Sequence, residues 1–420
     1  MAKSIAVIGG GWTGCHTALE LAAAGYQVTL IEKGPDLFNA VSGQFGIRIH
    51  KGPHYPRSYG TRESCRRTFD GFCAKYPEVV VPVKPAIYAL ANRDSTGHES
   101  KVTADEFGNV CRESKECVPV DIAQYFGKES ELDVAYTLDE PCALLNPYLK
   151  GYFEEKLATA KINVRRNEEV IEVWRLDGGY CVSTSEGLED KFDKVINSTG
   201  YASALPDGLL SNLPIKAQIK YQACTALSYT DTWIDQPPMS FIVMDGWFPC
   251  LMPCVGEPGK NGDYMVTHGS YTILGSFETP NEAGLCLSNM SPTFMESQIR
   301  PMIEEQMERF WPRFTERFMY KGWKGSVLPK LVTDTEFRSS VVFEADGVIY
   351  IFPGKISNVV DVADEVFALI NKRDVIRCNG YGYARESELY RSRKEIEKLP
   401  IAQDRNTCFL QTHQQLSIKV

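Results

Sequence analysis

Ser4-Ile5-Ala6-Val7-Ile8-Gly9-Gly10-Gly11-Trp12-Thr13-Gly14 opens the regular structure of the chain, and Tyr26-Gln27-Val28-Thr29-Leu30-Ile31-Glu32 closes the same unit. The first stretch is a short apolar run ending in glycine, the pattern of a buried strand that turns sharply. Residues 12–24 then carry apolar side chains at helical spacing, and Gly25 stands where a left-handed C-terminal cap belongs. The second stretch is β-branched and apolar, hence a second strand. Strand, tight turn, helix and strand within about thirty residues make a βαβ unit.

The turn has G-x-G-x-x-G spacing. Gly9 permits the tight exit from the strand, Gly11 lets a diphosphate approach the backbone, and Gly14 lets the helix pack against the sheet. The diphosphate then lies at the helix N-terminus, where free N–H groups and the helix dipole favour negative charge. Trp12 and Thr13, the first helical residues, are assigned to this cradle with the glycines. Glu32 ends the second strand, where a carboxylate accepts hydrogen bonds from ribose hydroxyls and disfavours a 2′-phosphate. Lys33 follows it and is assigned to the same site. The flanking strand and helix and the terminal acid distinguish this motif from a glycine turn that merely packs.

Beyond Glu32 the alternation stops. Residues 33–59 are rich in Gly, Pro and Ser and hold no convincing helix, and a connection of that length inside a compact domain is functional or disordered. Its Arg, His, Tyr and Gly content favours function. Residues 61–75 read as a surface helix, 78–136 as short strands and turns, 141–161 as a helix, and 163–175 and 180–185 as strands. Lys194-Val195-Ile196-Asn197-Ser198-Thr199-Gly200 is a strand ending in Thr-Gly. Residues 214–274 hold repeated strands, 296–310 a helix, 347–352 a buried strand, and 359–373 a helix after Pro353-Gly354-Lys355. The polar remainder, 379–420, reads as a peripheral appendage. The predicted architecture is α/β. Residues 1–77, 142–213 and 330–378 form a Rossmann-like nucleotide-binding domain, and residues 78–141 and 214–329 a second, mostly antiparallel β substrate domain.

The 420 residues are 43% hydrophobic and 24% charged, as expected of a chain that buries a real core. A net charge of -9 argues against a broad footprint for nucleic acid or an anionic membrane surface, although Arg and Lys residues between 48 and 67 make a local basic patch. No secretion-signal pattern opens the sequence and no run of eighteen apolar residues suits a membrane span, so a cytoplasmic protein without a membrane span is expected. The 13 cysteines are scattered, and neither Cys111/Cys117 nor Cys250/Cys254 has Cys-x-x-Cys spacing. Reduced thiols, rather than zinc or dithiol chemistry, are the expectation.

The βαβ unit alone does not separate FAD from NAD. Three features favour FAD: the long glycine-rich segment that replaces the expected continuation of the fold, the late strand ending in Thr-Gly, and the strand, glycine turn and helix at 346–359. On residues 4–58, 163–200 and 334–373 the chain resembles the D-amino-acid-oxidase-like superfamily of FAD-dependent oxidoreductases. Glycine and sarcosine oxidases, 2-hydroxyglutarate dehydrogenase and glycerol-3-phosphate dehydrogenase belong to that group. The resemblance implies that Glu32 holds the ribose and that the segment from Ser42 to His54 passes the flavin ring. It also implies that Val170 meets adenine through its backbone, that Thr199 and Gly200 lie near the nucleotide, and that Gly354, Lys355 and Ile356 sit at the pyrimidine end of the flavin. The segment Ile47-Arg48-Ile49-His50-Lys51-Gly52-Pro53-His54 resembles the hydroxy-acid branch without fixing a substrate.

The implied activity is hydride transfer from a small amine, amino acid or hydroxy acid to noncovalent FAD, with oxygen, a quinone or another carrier as electron acceptor. No second G-x-G-x-x-G supplies an NAD(P)H domain. A flavin-dependent monooxygenase of secondary metabolism and a non-enzymatic FAD-binding protein are the alternatives. Such an oxidation needs a base, and His54 is the candidate. Arg48 and Arg57 are candidates for a substrate carboxylate or the FAD diphosphate, and Arg338 for a carboxylate. His50 and His54 are four apart, but Gly52-Pro53 between them breaks the helix a metal pair would need. His16 and His268 read as structural, and the segment 244–249, Tyr271 and Phe277 as core or pocket lining.

Overall fold

The computed structural model describes residues 3–114, 117–200, 218–233, 236–259, 262–332, 338–378 and 381–385. Ser4–Ile8 and Gln27–Ile31 pair in parallel, joined by the helix Trp12–Ala23, as the opening sequence predicts. Lys194–Asn197 pairs on the other side of Ser4–Ile8, then Val348–Phe352, while Asn163–Arg165 pairs beyond Gln27–Ile31. Three antiparallel strands, Val341–Ala345, Tyr381–Ala384 and Val375–Cys378, complete an 8-stranded sheet.

Alternate residues of the first strand feed two different cores. Ile5 and Val7 point to the face covered by helices, and Ala6 and Ile8 to the opposite face. A strand buried on both sides reads as one continuous apolar run, which is why Ile5-Ala6-Val7-Ile8 shows no polar alternation. The helices Trp12–Ala23, Tyr59–Lys75, Tyr148–Thr159 and Val359–Ile370 pack on the first face. A 3-stranded antiparallel sheet of Val170–Leu176, Gly179–Thr184 and Glu189–Phe192 covers the second.

The second body is a 9-stranded sheet in the order Ile273–Phe277, Gln218–Asp231, Asp263–His268, Pro249–Cys254, Ser240–Val243, Ala86–Ala91, Leu132–Leu138 and Val118–Pro119, with Phe318–Val332 also on Gln218–Asp231. All its pairings are antiparallel except Ser240–Val243 on Ala86–Ala91. Residues 292–310 lie across one face, burying Met295, Ile299, Ile303, Met307 and Phe310. A 3-stranded sheet of Ile47–Arg48, Cys142–Ala143 and Val80–Val81 stands at the junction of the two bodies.

Several boundaries differ from the sequence expectation. The helix predicted over 141–161 is a strand, Cys142–Ala143, followed by a shorter helix, Tyr148–Thr159. Pairing with two strands distant in sequence fixes residues 142 and 143, and no local pattern reports it. The strand predicted over 163–175 divides at Asn167, which takes a left-handed φ of 59°, so its halves join different sheets. In the predicted helix 296–310, the turn Met295–Ile299 is widened ahead of Pro301, which cannot donate to a regular helical ladder. Residues 381–384, placed in the C-terminal appendage by their sequence, extend the nucleotide-binding sheet. The domain boundary at 213/214, position 334 of the resemblance and residues 386–420 lie outside the described residues.

Candidate active site

The glycine turn forms a cradle at the end of the first strand. Gly9 has φ +105°, and a Cβ there would stand 3.1 Å from Ser198 O. A Cβ on Gly14 would fall 1.8 Å from Gly9 O, so only glycine lets the helix seat on the strand. Gly11 meets only Ser42, whose Oγ would lie 3.1 Å from an added Cβ. The N-terminus of Trp12–Ala23 has no side-chain cap and no acid in its first turn, so its N–H groups are left for an anion. Thr13 lies half-exposed at that end.

Trp12 departs from the expectation. Its indole is buried among Phe38, Phe72, Tyr76 and Phe153, with ring centroids 5.0 to 5.7 Å away. That side chain is core, because the cradle side of the first turn must stay free of bulk. Only the backbone of Trp12 faces the diphosphate position.

Glu32 accepts from Gly10 N at 2.6 Å through Oε2 and from Gly34 N at 2.7 Å through Oε1. Both oxygens are oriented, and each keeps a further lone pair for a ribose hydroxyl. Backbone bonds from Glu32 N to Arg165 O and from Glu168 N to Glu32 O place the segment leading to Val170 alongside. Val170 is half-buried against the core beneath the covering sheet. Lys33 is exposed, 3.9 Å from the Glu169 carboxylate. Thr199 Oγ1 donates to Asn197 Oδ1 at 2.7 Å, and Thr199 N lies 3.2 Å from where a Cβ on Gly9 would be. Gly200 has φ +71° and faces Pro353. The cradle thus gathers Gly9, Gly11, Gly14, Glu32, Ser42 and Thr199 from four separate stretches, and it fits the adenosine diphosphate half of FAD.

At the other end, Gly354 packs so closely that a Cβ would lie 2.2 Å from Ser340 N. Lys355 N donates to Asn358 Oδ1 at 2.9 Å. Asn358 Nδ2 donates to Ser64 Oγ and Thr68 Oγ1 to Ser357 Oγ, each at 2.8 Å, locking the Ile356–Asn358 turn onto the helix Tyr59–Lys75. Ile356 packs on the main core. The Lys355 ammonium stands 4.5 Å above the Tyr55 ring. Burial, assisted by the Arg48 charge, pushes its pKa down to about 7.

Beside Lys355 and Tyr55 lies a buried polar cluster. Arg48 is 6% exposed, with its guanidinium 5.1 Å over the Tyr88 ring. Its Nε and Nη1 have no hydrogen-bond partner among the described residues. Burial works against its charge, but Tyr88, Cys250 and Glu140 outweigh that and raise its pKa. His50 Nδ1 lies 3.2 Å from Glu140 Oε2 and 3.3 Å from the Tyr88 hydroxyl. His54 stacks on His50 at a centroid distance of 4.4 Å, with Tyr55 at 4.6 Å. Burial, then the charges of Lys355 and Arg48, hold His50 neutral, with its pKa well below the usual histidine range.

Arg57 does not join this cluster. Its Nε donates to Asp245 Oδ1 at 2.8 Å and Oδ2 at 3.1 Å, tying the segment before the Tyr59–Lys75 helix to the second sheet. Asp245 takes φ 67° to reach it, so residues 244–249 serve as this tie and as core through Phe248. Arg338 meets Thr61 through its backbone. His268 accepts from Ser270 N and stacks on Tyr271, and His16 pairs with the Tyr76 hydroxyl; both are buried. Among the described residues no group of three or more His, Cys, Asp or Glu side chains is placed to hold a metal.

Glu140 and Tyr88 escape sequence reasoning. Glu140 falls between the predicted strands and turns of 78–136 and the predicted helix over 141–161, and Tyr88 is one aromatic in a short predicted strand. Only the pairing of Ala86–Ala91 with Leu132–Leu138 brings them together.

A dinucleotide cradle on a largely parallel sheet, with a second, antiparallel sheet and a buried polar cluster beside it, is the arrangement of a flavin-type oxidoreductase. Residues 4–354 match the family model DAO, FAD dependent oxidoreductase, and the chain belongs to this family of FAD-dependent enzymes. It is 46% identical over 417 residues to the FAD-dependent monooxygenase kojA of Aspergillus flavus, covering 97% of this chain and 96% of the relative. An FAD-dependent monooxygenase of Fusarium mangiferae is 28% identical over 386 residues, covering 88% and 91% of the two chains. Among solved structures, glycine oxidase from Geobacillus kaustophilus superposes with TM-score 0.64 at 12% identity, covering 88% of this chain and 95% of that one. FAD-bound L-α-glycerophosphate oxidase from Mycoplasma pneumoniae superposes with TM-score 0.63 at 14% identity, covering 88% and 95%. The fold and the cofactor, FAD, are those the sequence implies.

Proposed function

We propose that this enzyme oxidises a small molecule at a C–H bond beside a hydroxyl or amine. When bound, FAD supplies the hydride acceptor. Gly9, Gly11, Gly14, Glu32, Ser42, Val170, Thr199 and Gly200 would hold its adenosine diphosphate, and Gly354, Lys355 and Ile356 would stand beside its flavin. Arg48 binds an anionic or developing oxyanion oxygen of the substrate, and the stacked His50–His54 pair takes the hydroxyl or amine proton. The observation that carries this reading is the buried Arg48, with two N–H-bearing nitrogens unpartnered among the described residues, over the same Tyr88 whose hydroxyl meets His50. A buried cation with donors to spare is costly unless a ligand meets them.

A second reading, a monooxygenase of secondary metabolism, is favoured by the names of the relatives at 46% and 28% identity. It requires an external reductant. A third, a protein that binds FAD without turnover, draws support from no observation. The electron acceptor in the first reading is oxygen, a quinone or another carrier, and the location is cytoplasmic. That location is supported by the thiols Cys15, Cys73, Cys111 and Cys142, which form no disulfide among the described residues. No described helix is long and apolar enough to cross a membrane.

The test is an anaerobic screen of hydroxy acids, polyols, amines and amino acids for bleaching of the bound flavin, followed by turnover under ¹⁸O₂. Bleaching by a substrate alone, with no label in the organic product, is expected. Bleaching only by NAD(P)H, with label in the product, establishes the monooxygenase and overturns the first reading.

A further inference from the structure

We infer that Glu140 is a positioning residue: its carboxylate fixes the tautomer of His50, holding the proton on Nδ1 and leaving the lone pair on Nε2. Glu140 is fully buried, and three donors converge on it. Lys51 N donates to Oε1 at 2.6 Å, the Tyr88 hydroxyl donates to Oε2, and His50 Nδ1 lies 3.2 Å from Oε2. A carboxylate so surrounded is in its acceptor-only, ionised form. Burial raises its pKa, while Arg48, Tyr88 and Lys51 pull it back down.

Tyr88 has a single proton, and it is committed to Glu140. Its oxygen, 3.3 Å from His50 Nδ1, therefore faces that nitrogen as a second acceptor. Two acceptors and no donor meet Nδ1, so Nδ1 must carry the hydrogen. Nε2 makes no hydrogen bond among the described residues. Burial, then the charges of Lys355 and Arg48, hold the ring neutral against the pull of Glu140, and His54, Tyr55 and Tyr88 are the other titratable groups that face it. Tautomer control by an orienting carboxylate is the role of the third member in nucleophile–base–acid triads. That this lone pair receives a substrate proton rests on the proposed function; the tautomer itself rests only on the geometry.

The Lys51 N–H makes the test directional. In Glu140→Gln this donor demands the amide oxygen, so the amide NH₂ takes the place of Oε2 and donates to Nδ1. The proton of His50 then moves to Nε2. The measurement is long-range ¹H–¹⁵N correlation on ¹⁵N-histidine-labelled, FAD-loaded protein, with the His50 signal assigned by its loss in His50→Gln. Wild type is expected to show a protonated Nδ1 and a bare Nε2, and Glu140→Gln the reverse, with flavin content unchanged. Tyr88→Phe, which keeps the carboxylate, is expected to leave the tautomer as in wild type. A proton on Nε2 in wild type overturns the inference, as does a Glu140→Gln protein that keeps it on Nδ1. Should Glu140→Gln fail to fold, the wild-type spectrum still tests the tautomer, and movement of the proton to Nε2 in Tyr88→Phe overturns the role of Glu140. No substrate is needed, so a confirmed tautomer with no oxidation in the screen rejects the proposed reaction and leaves this inference standing. With a substrate in hand, flavin bleaching by Glu140→Gln falls by about 10²–10⁴-fold with little change in KM.

Discussion

At the scale of single residues, the cradle depends on groups whose roles are set by their immediate neighbours. Gly14 shows this most directly, because an added methyl carbon meets a backbone oxygen at 1.8 Å, and backbone cannot rotate away. Gly14→Ala is therefore expected to lose about 1–3 kcal/mol of stability and most of its flavin, read from the urea midpoint and from visible absorbance per protein. Retention of wild-type flavin would contradict the close helix–strand seat. Glu32 is oriented by Gly10 N and Gly34 N before any ligand arrives. Both roles were legible in the sequence, since they follow from residue type and spacing within one βαβ unit. Trp12 was legible only in part. It opens the helix as its place in the sequence predicts, but the direction of its indole depends on Phe38, Phe72 and Phe153, which the fold brings in from elsewhere.

At the scale of elements, the informative cases are the ties between segments. The Arg57–Asp245 pair joins the segment leading into the Tyr59–Lys75 helix to a turn of the second sheet. A partly buried charge pair contributes more than an exposed one. Arg57→Met is expected to cost about 1–2 kcal/mol in the urea midpoint, and to leave the affinity for a carboxylate inhibitor within about threefold of wild type. A large rise in inhibitor Kd without loss of stability would return Arg57 to the substrate. Other elements announce themselves locally. Thr103 and Glu106 form a capping box at the start of Ala104–Glu113, a helix that the reading of 78–136 as short strands and turns misses although its Thr-x-x-Glu signal stands in the sequence. The strand Cys142–Ala143 has no such signal, because its partners lie at 47–48 and 80–81.

At the scale of the whole molecule, two sheets meet and desolvate what lies inside them. Burial lowers the pKa of His16 to about 4 and of His268 to about 3. The folded state thus refuses protons that the unfolded chain accepts. The stability these groups contribute is complete above pH ~6.5 and is lost as the pH falls toward 4 and 3. Each is expected to remove roughly 2 kcal/mol between pH 7 and pH 5. Urea titrations at the two pH values should show His268→Gln losing about that much less than wild type. An unchanged difference would mean that His268 is protonated in the native state. Lys355 obeys the same physics with the same charge sign, since a half-buried ammonium beside Arg48 gives up its proton near pH 7.

The sequence by itself determined the nucleotide half of this protein. Gly9, Gly11, Gly14 and Glu32 act through backbone shape and a helix end, which are properties of a continuous stretch of chain. It also determined that alternate residues of the first strand are apolar on both faces, and therefore that layers lie on each side. Only the tertiary structure decided the composition of the pocket. Arg48, His50, Tyr88, Glu140 and Lys355 come from four stretches of the chain, and their charge states arise from shared burial and mutual distance. Desolvation and pairing are properties of the assembled volume, so no local pattern carries them.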